Sequence, residues 1–389
     1  MGIRPWLILA AIALARIGFG YQFQSVASLG PVLVPQFGLS YSEFGAVIGA
    51  YMLLGVFAAL PLGVLGRRFG DRVVLGSGLA LMTIGACVSA WGDDPAGIAL
   101  GRTVAGVGAV AMIVLQGKII ADFFTGRMFM VGISVSVAAY PIGIGLAQLI
   151  LPPMAERYGI SAALLSNAAI VALSLALFLA SFKLPAHANT PSTRFSLPSR
   201  HECLLLAIGG LTWTAYTTGY TAYTSYVPTT LALRGDSLML IGVVMTLATW
   251  GNVPATMVGG GLAARFGAFR ILLFGTACLV LGMLGTAATG WVVTSAVLVG
   301  VLGSVQPGVI MAVGTLSARP ENRAVGMALF YSIYYLGNTI GPSLCGVAAD
   351  LYGGPAGGII AAAVISALVA PLFVVHKLLA RHETMLARP

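Results

Sequence analysis

Charge is scarce in this chain. Of 389 residues, 20 are Lys or Arg and 11 are Asp or Glu, so charged residues make up 8%. Soluble domains carry about a quarter. A water-soluble globule of this length could not cover its surface with so few, whereas lipid as solvent requires an apolar exterior. Cysteine is scarce too: Cys87, Cys203, Cys278 and Cys345 lie far apart, in or beside apolar stretches. That spacing excludes a disulfide framework and a thiolate metal site. The four read as small buried hydrophobes. The four histidines, His187, His201, His376 and His382, fall in loops or at the ends of apolar runs. No Asp or Glu falls deep inside an apolar run, which disfavours drug/proton antiport through a membrane-embedded acid. There is no phosphate-binding loop, metal cluster or nucleophile–base pair. Neither an enzyme nor an ATP-driven machine is expected, and no cofactor or metal.

What is abundant is hydrophobic sequence, 58% of the chain, and it comes in long runs. A spanning helix needs about 20 apolar residues. Twelve spans are predicted, at approximately 5–36, 43–66, 72–91, 96–124, 127–152, 158–182, 203–231, 237–264, 269–288, 291–317, 322–349 and 355–380. Barrel strands would be about ten alternating residues; these runs are longer and continuous, so they must be helices, which satisfy their own backbone in lipid. With the N-terminus inside, nearly all Lys and Arg of the short loops share its side, and only Arg157 and Arg234 face out. That bias predicts a multi-pass protein of the bacterial inner membrane with both termini cytoplasmic. The net charge of +9 is thereby a topology signal and not a nucleic-acid footprint.

The polar, proline-bearing stretch 183–202 cannot span and divides the chain into an N-terminal bundle (1–182), a linker and a C-terminal bundle (203–389). The halves repeat. GVLGRRFGDRVVL at 63–75 matches GGLAARFGAFRIL at 260–272, pairing Gly63 with Gly260, Arg68 with Arg265 and Gly70 with Gly267. Span five matches span eleven, with Tyr140 opposite Tyr334 and Gly143 opposite Gly337. An even number of spans per half gives the halves one orientation, related by an axis along the membrane normal, as in a large class of carriers.

The Gly-x-Leu-x-x-Arg-Phe-Gly loop after spans two and eight resembles the signature of the major facilitator superfamily. Span four, where Arg102 opens RTVAGVGAVAM with Gly106 and Gly108, is similar to that superfamily, as is span eleven with Gly337, Gly341-Pro342, Gly346, Asp350 and Gly353. The resemblance covers the whole chain and, more loosely, points to the cyanate/nitroimidazole and other small-anion branches. It implies an all-α membrane protein of twelve helices in two six-helix bundles, an alternating-access transporter or exchanger (antiporter). Spans one, four, seven and ten would line a central cavity, with two, five, eight and eleven beside them. A conformational-switch loop would comprise Gly63, Arg67, Arg68, Gly70 and Asp71, with Arg265 and Gly267 in the second half. The chain departs from the pattern in one respect: Arg67 and Ala264 stand where the superfamily loop has an acid, with Asp71 as a candidate substitute.

Three cations fall inside spans. Arg16 lies ten residues past the interfacial Trp6, roughly 15 Å deep at the helical rise. It is the sharpest candidate to bind an anionic group, its alternative being a structural Arg held by carbonyls. Arg102 either reaches the cavity, as its counterpart in the superfamily does, or snorkels to the outer surface or packs against span-one carbonyls. Lys118 is expected to pair with Asp122, one turn on. The predicted substrate-binding set is Arg16, Tyr21, Gln24, Arg102, Tyr140, Trp213, Tyr216, Tyr220, Trp250, Gln306, Tyr331, Tyr334 and Asn338. Tyr216, Tyr220 and Tyr223 share one face of span seven by helical spacing. The expected partners are a small anionic solute and the bilayer, for a monomer that binds no nucleic acid. Rival readings are a multidrug exporter, which the aromatics suit and Arg16 does not, and a membrane sensor of the same fold. At the repeat shift, Arg16 falls opposite Trp213, a cation in one half against an aromatic face in the other.

Overall fold

The computed structural model describes residues 3–182, 198–319 and 323–386. The helices group into twelve spans and no strand occurs among the described residues. Among the described residues, nine of the spans are long and apolar enough on their own to cross a bilayer. The other three are spans two, seven and eleven. Span two is broken, and spans seven and eleven carry the hydroxyl, amide and phenol groups described below.

The chain divides into two compact units. Unit one is Met1–Leu39 with Ala46–Ser192, and unit two is Ser40–Gly45 with Thr193–Pro389. In unit one, span one is Ile3–Ser28 continued by Gly30–Phe37. Span two is Tyr41–Gly49 and Gly55–Phe69, its first residues belonging to unit two. Spans three to six are Asp71–Trp91, Pro95–Phe123, Gly126–Tyr158 and Ile160–Ser181. In unit two, span seven is Arg200–Leu233, span eight Leu238–Trp250 with Asn252–Phe266, and span nine Ala268–Ala288. Span ten starts at Val292–Val297 and ends at Pro307–Leu316, span eleven is Arg323–Tyr352, and span twelve is Ala356–Ala367 with Val369–Leu386.

Most breaks have one cause. Proline cannot donate to the carbonyl four residues back and crowds that turn. Spans one, eight and twelve break at Leu29, Gly251 and Leu368, just ahead of Pro31, Pro254 and Pro371. Span ten passes through a π turn at Leu298–Leu302 and a 3₁₀ turn at Gly303–Val305 before Pro307. The Gly303 carbonyl, which Pro307 cannot reach, accepts a hydrogen bond from the Gln306 side chain at 3.0 Å.

Residues 183–197 of the linker lie outside the described residues. Its last residues start span seven: Ser199 caps the helix, and Glu202 returns to the Ser199 amide in a capping box. Glu202 also accepts from the Arg319 amide at 2.9 Å. The linker therefore gives way to helix at Arg200, earlier than the apolar run suggests, because Ser-x-x-Glu satisfies helix-end donors before hydrophobicity begins.

Candidate functional site

The site residues of unit one converge where spans one and five touch. Gly20 and Gly143 permit the approach. A Cβ on Gly143 would lie 2.0 Å from the Ile17 carbonyl oxygen, and one on Gly20 would lie 2.2 Å from that of Tyr140. The contact stacks Phe19 on Tyr140 at 4.9 Å between ring centroids. The Arg16 guanidinium sits over both rings, 5.4 Å from Phe19 and 5.1 Å from Tyr140. Its Nε donates to the Ser136 carbonyl at 3.3 Å. Ser136 in turn donates its hydroxyl to Gln116 on span four at 2.6 Å. Arg16, Gln116 and Tyr140 are all half-buried. Two aromatic faces favour a cation through their quadrupoles, by about 0.5–2 kcal/mol each, and hold its plane.

Three other candidates of unit one are buried in its interior. Tyr21 is fully buried, with its hydroxyl 3.0 Å from that of Ser166 on span six. Gln24 is also fully buried. Arg102, 2% exposed, has found a complete set of acceptors. Nε donates to the Val47 carbonyl at 2.8 Å. Nη1 donates to the Gln22 carbonyl and the Ser25 hydroxyl at 3.1 and 3.3 Å. Nη2 donates to the Phe23 and Ile48 carbonyls at 3.1 and 3.0 Å. A guanidinium has five N–H donors, and these are five bonds. The break in span two supplies two of the acceptors: after Ala50 donates to Ala46, Met52 donates to Gly49, so the helical ladder slips past Val47 and Ile48. Arg102 is thus a clamp on spans one and two, and the span-one carbonyls that the sequence offered among its possible partners are only part of its acceptor set.

Lys118 is a correction. It pairs with Asp71 at 2.6 Å, not with Asp122. Gly70, at φ +83°, turns the chain so that span three begins at Asp71, and this delivers a buried carboxylate to span four. Gly267 repeats the turn at φ +91° ahead of span nine. Arg68 and Arg265 each lie over the following phenylalanine, at 5.5 and 5.3 Å. Gly63 and Arg67 fall outside the described side chains.

Unit two gathers an aromatic and amide group on spans seven, eight, ten and eleven. Trp213 lies 5.8 Å from Tyr216 and 6.5 Å from Tyr334. Tyr216 stacks on Tyr220 at 6.1 Å, and Tyr331 meets Tyr334 edge-on at 6.2 Å. Asn252, half-buried, donates to the Tyr216 hydroxyl and to Ser304 in the broken turn of span ten, both at 3.1 Å. Tyr220 donates to the Ala248 carbonyl at 2.6 Å. Asn338 is buried and ties span eleven to span seven, donating to Thr217 at 3.0 Å and accepting from Thr221 at 3.2 Å. Gln306, fully buried, accepts from Thr276 on span nine at 2.9 Å while holding the Gly303 carbonyl. It pins the break in span ten and does not face the aromatic group. Tyr223, the third member of the stripe, turns to Thr286 on span nine. Trp250 stands 37% exposed at the end of its helix.

Sequence reasoning missed Phe19, Ser136 and Gln116: the first two are marked only by their helical register with Arg16 and Tyr140, and Gln116 only as an amide in span four. The repeat, however, holds in space. Arg16 meets Tyr140 across spans one and five, and their repeat partners Trp213 and Tyr334 meet across spans seven and eleven.

The family model described as "Major Facilitator Superfamily" matches this chain over residues 10–292 and again over 208–387. The chain belongs to the major facilitator superfamily. It is similar to a gallate transporter of Pseudomonas putida, 25% identical over 306 residues, covering 74% of this chain and 65% of the relative. A 4-hydroxybenzoate transporter, PcaK of Pseudomonas aeruginosa, is 23% identical, with 88% and 86% covered. The chain spans about two thirds of the gallate transporter and about a quarter of a third relative, the inner membrane transport protein YajR of Escherichia coli. Among solved structures, a bacterial homologue of the human lysosomal transporter Spinster superposes with a TM-score of 0.76 at 12% identity, covering 97% of this chain and 98% of that one. The xylose transporter XylE from E. coli superposes at 0.73 with 18% identity, covering 94% and 95%. These likenesses carry the twelve-helix, two-bundle fold of the superfamily.

Proposed function

We propose that this chain carries a small organic anion across the bacterial inner membrane, with both termini cytoplasmic and with its two bundles alternating access to the solute. The first candidate class is an aromatic carboxylate. The observation that supports this is the Arg16 guanidinium held over Phe19 and Tyr140 at a depth where charge is expensive. A carboxylate matches such a fork in geometry and charge, and aromatic walls suit a ring. Trp213, Tyr216 and Tyr334 offer further ring faces in unit two. Two relatives are named for gallate and 4-hydroxybenzoate, both aromatic carboxylates.

Uptake of labelled 4-hydroxybenzoate into proteoliposomes, challenged by a panel of competitors, tests the proposal. Benzoates and small mono- and dicarboxylates are expected to compete, and lipophilic cations such as tetraphenylphosphonium are not. Competition by the cations alone would make the chain a drug carrier. Ligand binding without uptake would make it a sensor.

A further inference from the structure

Unit two contains a cavity of about 570 Å³ far from the groups around Trp213 and Asn252. It lies at the end of the unit where spans seven, nine, ten and twelve meet the loop after span eight. Its walls are apolar, with Phe266, Phe269, Leu316 and Phe373 prominent. Phe269 stacks on Phe373 at 6.3 Å with the ring planes 18° apart. Leu316 and Phe266 are 76% and 47% exposed, so the cavity opens at the surface of the unit. Arg270 and Lys377 lie at its lip, and no lining residue is acidic. Lys377 stands 5.4 Å from the Phe269 ring, a contact that keeps the ammonium at the mouth. The neighbouring start of span nine has no side-chain cap and no acid in its first turn, so nothing there opposes an anion.

We propose that this cavity is a binding site for an anionic phospholipid, phosphatidylglycerol or a lipid of like charge, with acyl chain against the phenylalanines and phosphate against Arg270 and Lys377. An open apolar cleft facing bilayer will be filled by acyl chains. What selects among lipids is the lip, and two cations without an acid select negative charge. The lip lies at the basic end of the unit, beside Arg265 and Arg319, and the charge bias places that end in the cytoplasmic leaflet, at headgroup level. The shared chemistry with free phosphate is the anionic oxygen; the acyl wall distinguishes the lipid. This inference does not rest on the identity of the transported solute.

The test is native mass spectrometry of the delipidated full chain titrated with dioleoylphosphatidylglycerol, dioleoylphosphatidylcholine or inorganic phosphate. Wild-type protein should retain phosphatidylglycerol in preference to phosphatidylcholine. Arg270→Gln or Lys377→Gln should each weaken phosphatidylglycerol about 5-fold, and the double variant about 25-fold, from the usual contribution of one basic residue at an anionic surface. Ala380→Trp, which fills the cavity and leaves both cations, should weaken it comparably. Phosphatidylcholine should be indifferent to the charge variants, and phosphate should not displace the lipid. Thermal unfolding checks that each variant is folded; should the double variant fail, the single variants and Ala380→Trp decide. Unchanged phosphatidylglycerol affinity in the folded variants, equal affinity for the two lipids, or displacement by phosphate alone would each overturn the proposal.

Discussion

Replacing Arg102 with Met keeps an unbranched, flexible apolar stem about as long as the aliphatic part of Arg and removes all five donors. Of the acceptors left behind, the Gln22 carbonyl still receives the Ser25 hydroxyl at 2.8 Å. The Val47 and Ile48 carbonyls lose the donor that compensates for the break in span two. A buried polar group stripped of its partner costs about 1–3 kcal/mol, so the two together cost about 2–6 kcal/mol. That is a large part of a typical stability of about 5–15 kcal/mol. At about 2–4 °C per kcal/mol for a unit of this size, Arg102→Met should unfold about 5–20 °C below wild type. The measurement is thermal unfolding of the purified chain in detergent, followed by tryptophan fluorescence, alongside 4-hydroxybenzoate binding. The folded fraction of Arg102→Met should bind as wild type does. An unchanged unfolding temperature with binding abolished would refute the clamp and return Arg102 to the substrate path.

Asp350 accepts from the Tyr41 and Ser42 amides at 2.7 and 3.0 Å, capping the first turn of span two. Asp350→Ala, which removes both acceptors, should lower the unfolding temperature at pH 7 by the equivalent of about 1 kcal/mol in thermal melts. Lys118→Met should destabilise by about 1–3 kcal/mol by leaving the Asp71 carboxylate buried without its counter-ion, and adding Asp71→Asn should restore most of the loss in the same melt. Gln306→Leu orphans the Gly303 carbonyl and the Thr276 hydroxyl, so stability should fall by about 1–3 kcal/mol with 4-hydroxybenzoate affinity in the folded fraction unchanged. Gly143→Val would drive spans one and five apart; folded protein should lose 4-hydroxybenzoate binding although no contacting side chain has changed.

The spans were legible because lipid imposes one rule along the whole chain: long apolar runs that must be helical to satisfy their own backbone. The repeat was legible because both halves need the same glycines at the same turns, Gly70 and Gly267 among them. Arg16 stood out through cost alone, since charge at that depth requires a reason. What the sequence hid was non-local. Lys118 has an acid one turn away in Asp122, and local spacing favours that pair, yet Asp71 reaches it from the start of another helix. Arg102 stood evenly between a ligand and a structural role on sequence alone. Only the break in span two, which no proline marks, shows where its donors go. Gln306 was conspicuous as an amide in mid-span, but the proline beside it had already created the carbonyl it serves. Polar residues in a spanning helix thus divide into those that repair the backbone and those left beside aromatic faces. The division depends on neighbours that only the fold supplies.

The central claim is that Arg16 binds the anionic group of the solute, and one measurement bears on it directly. It is isothermal titration of 4-hydroxybenzoate into purified wild type and Arg16→Gln at matched unfolding temperature, with benzamide as the uncharged comparison. The account predicts that wild type binds the carboxylate and not the amide, and that Arg16→Gln loses the carboxylate by at least about 10-fold, the 1.4 kcal/mol equivalent of one weak charge-assisted contact. Folded Arg16→Gln that binds 4-hydroxybenzoate as tightly as wild type would contradict it.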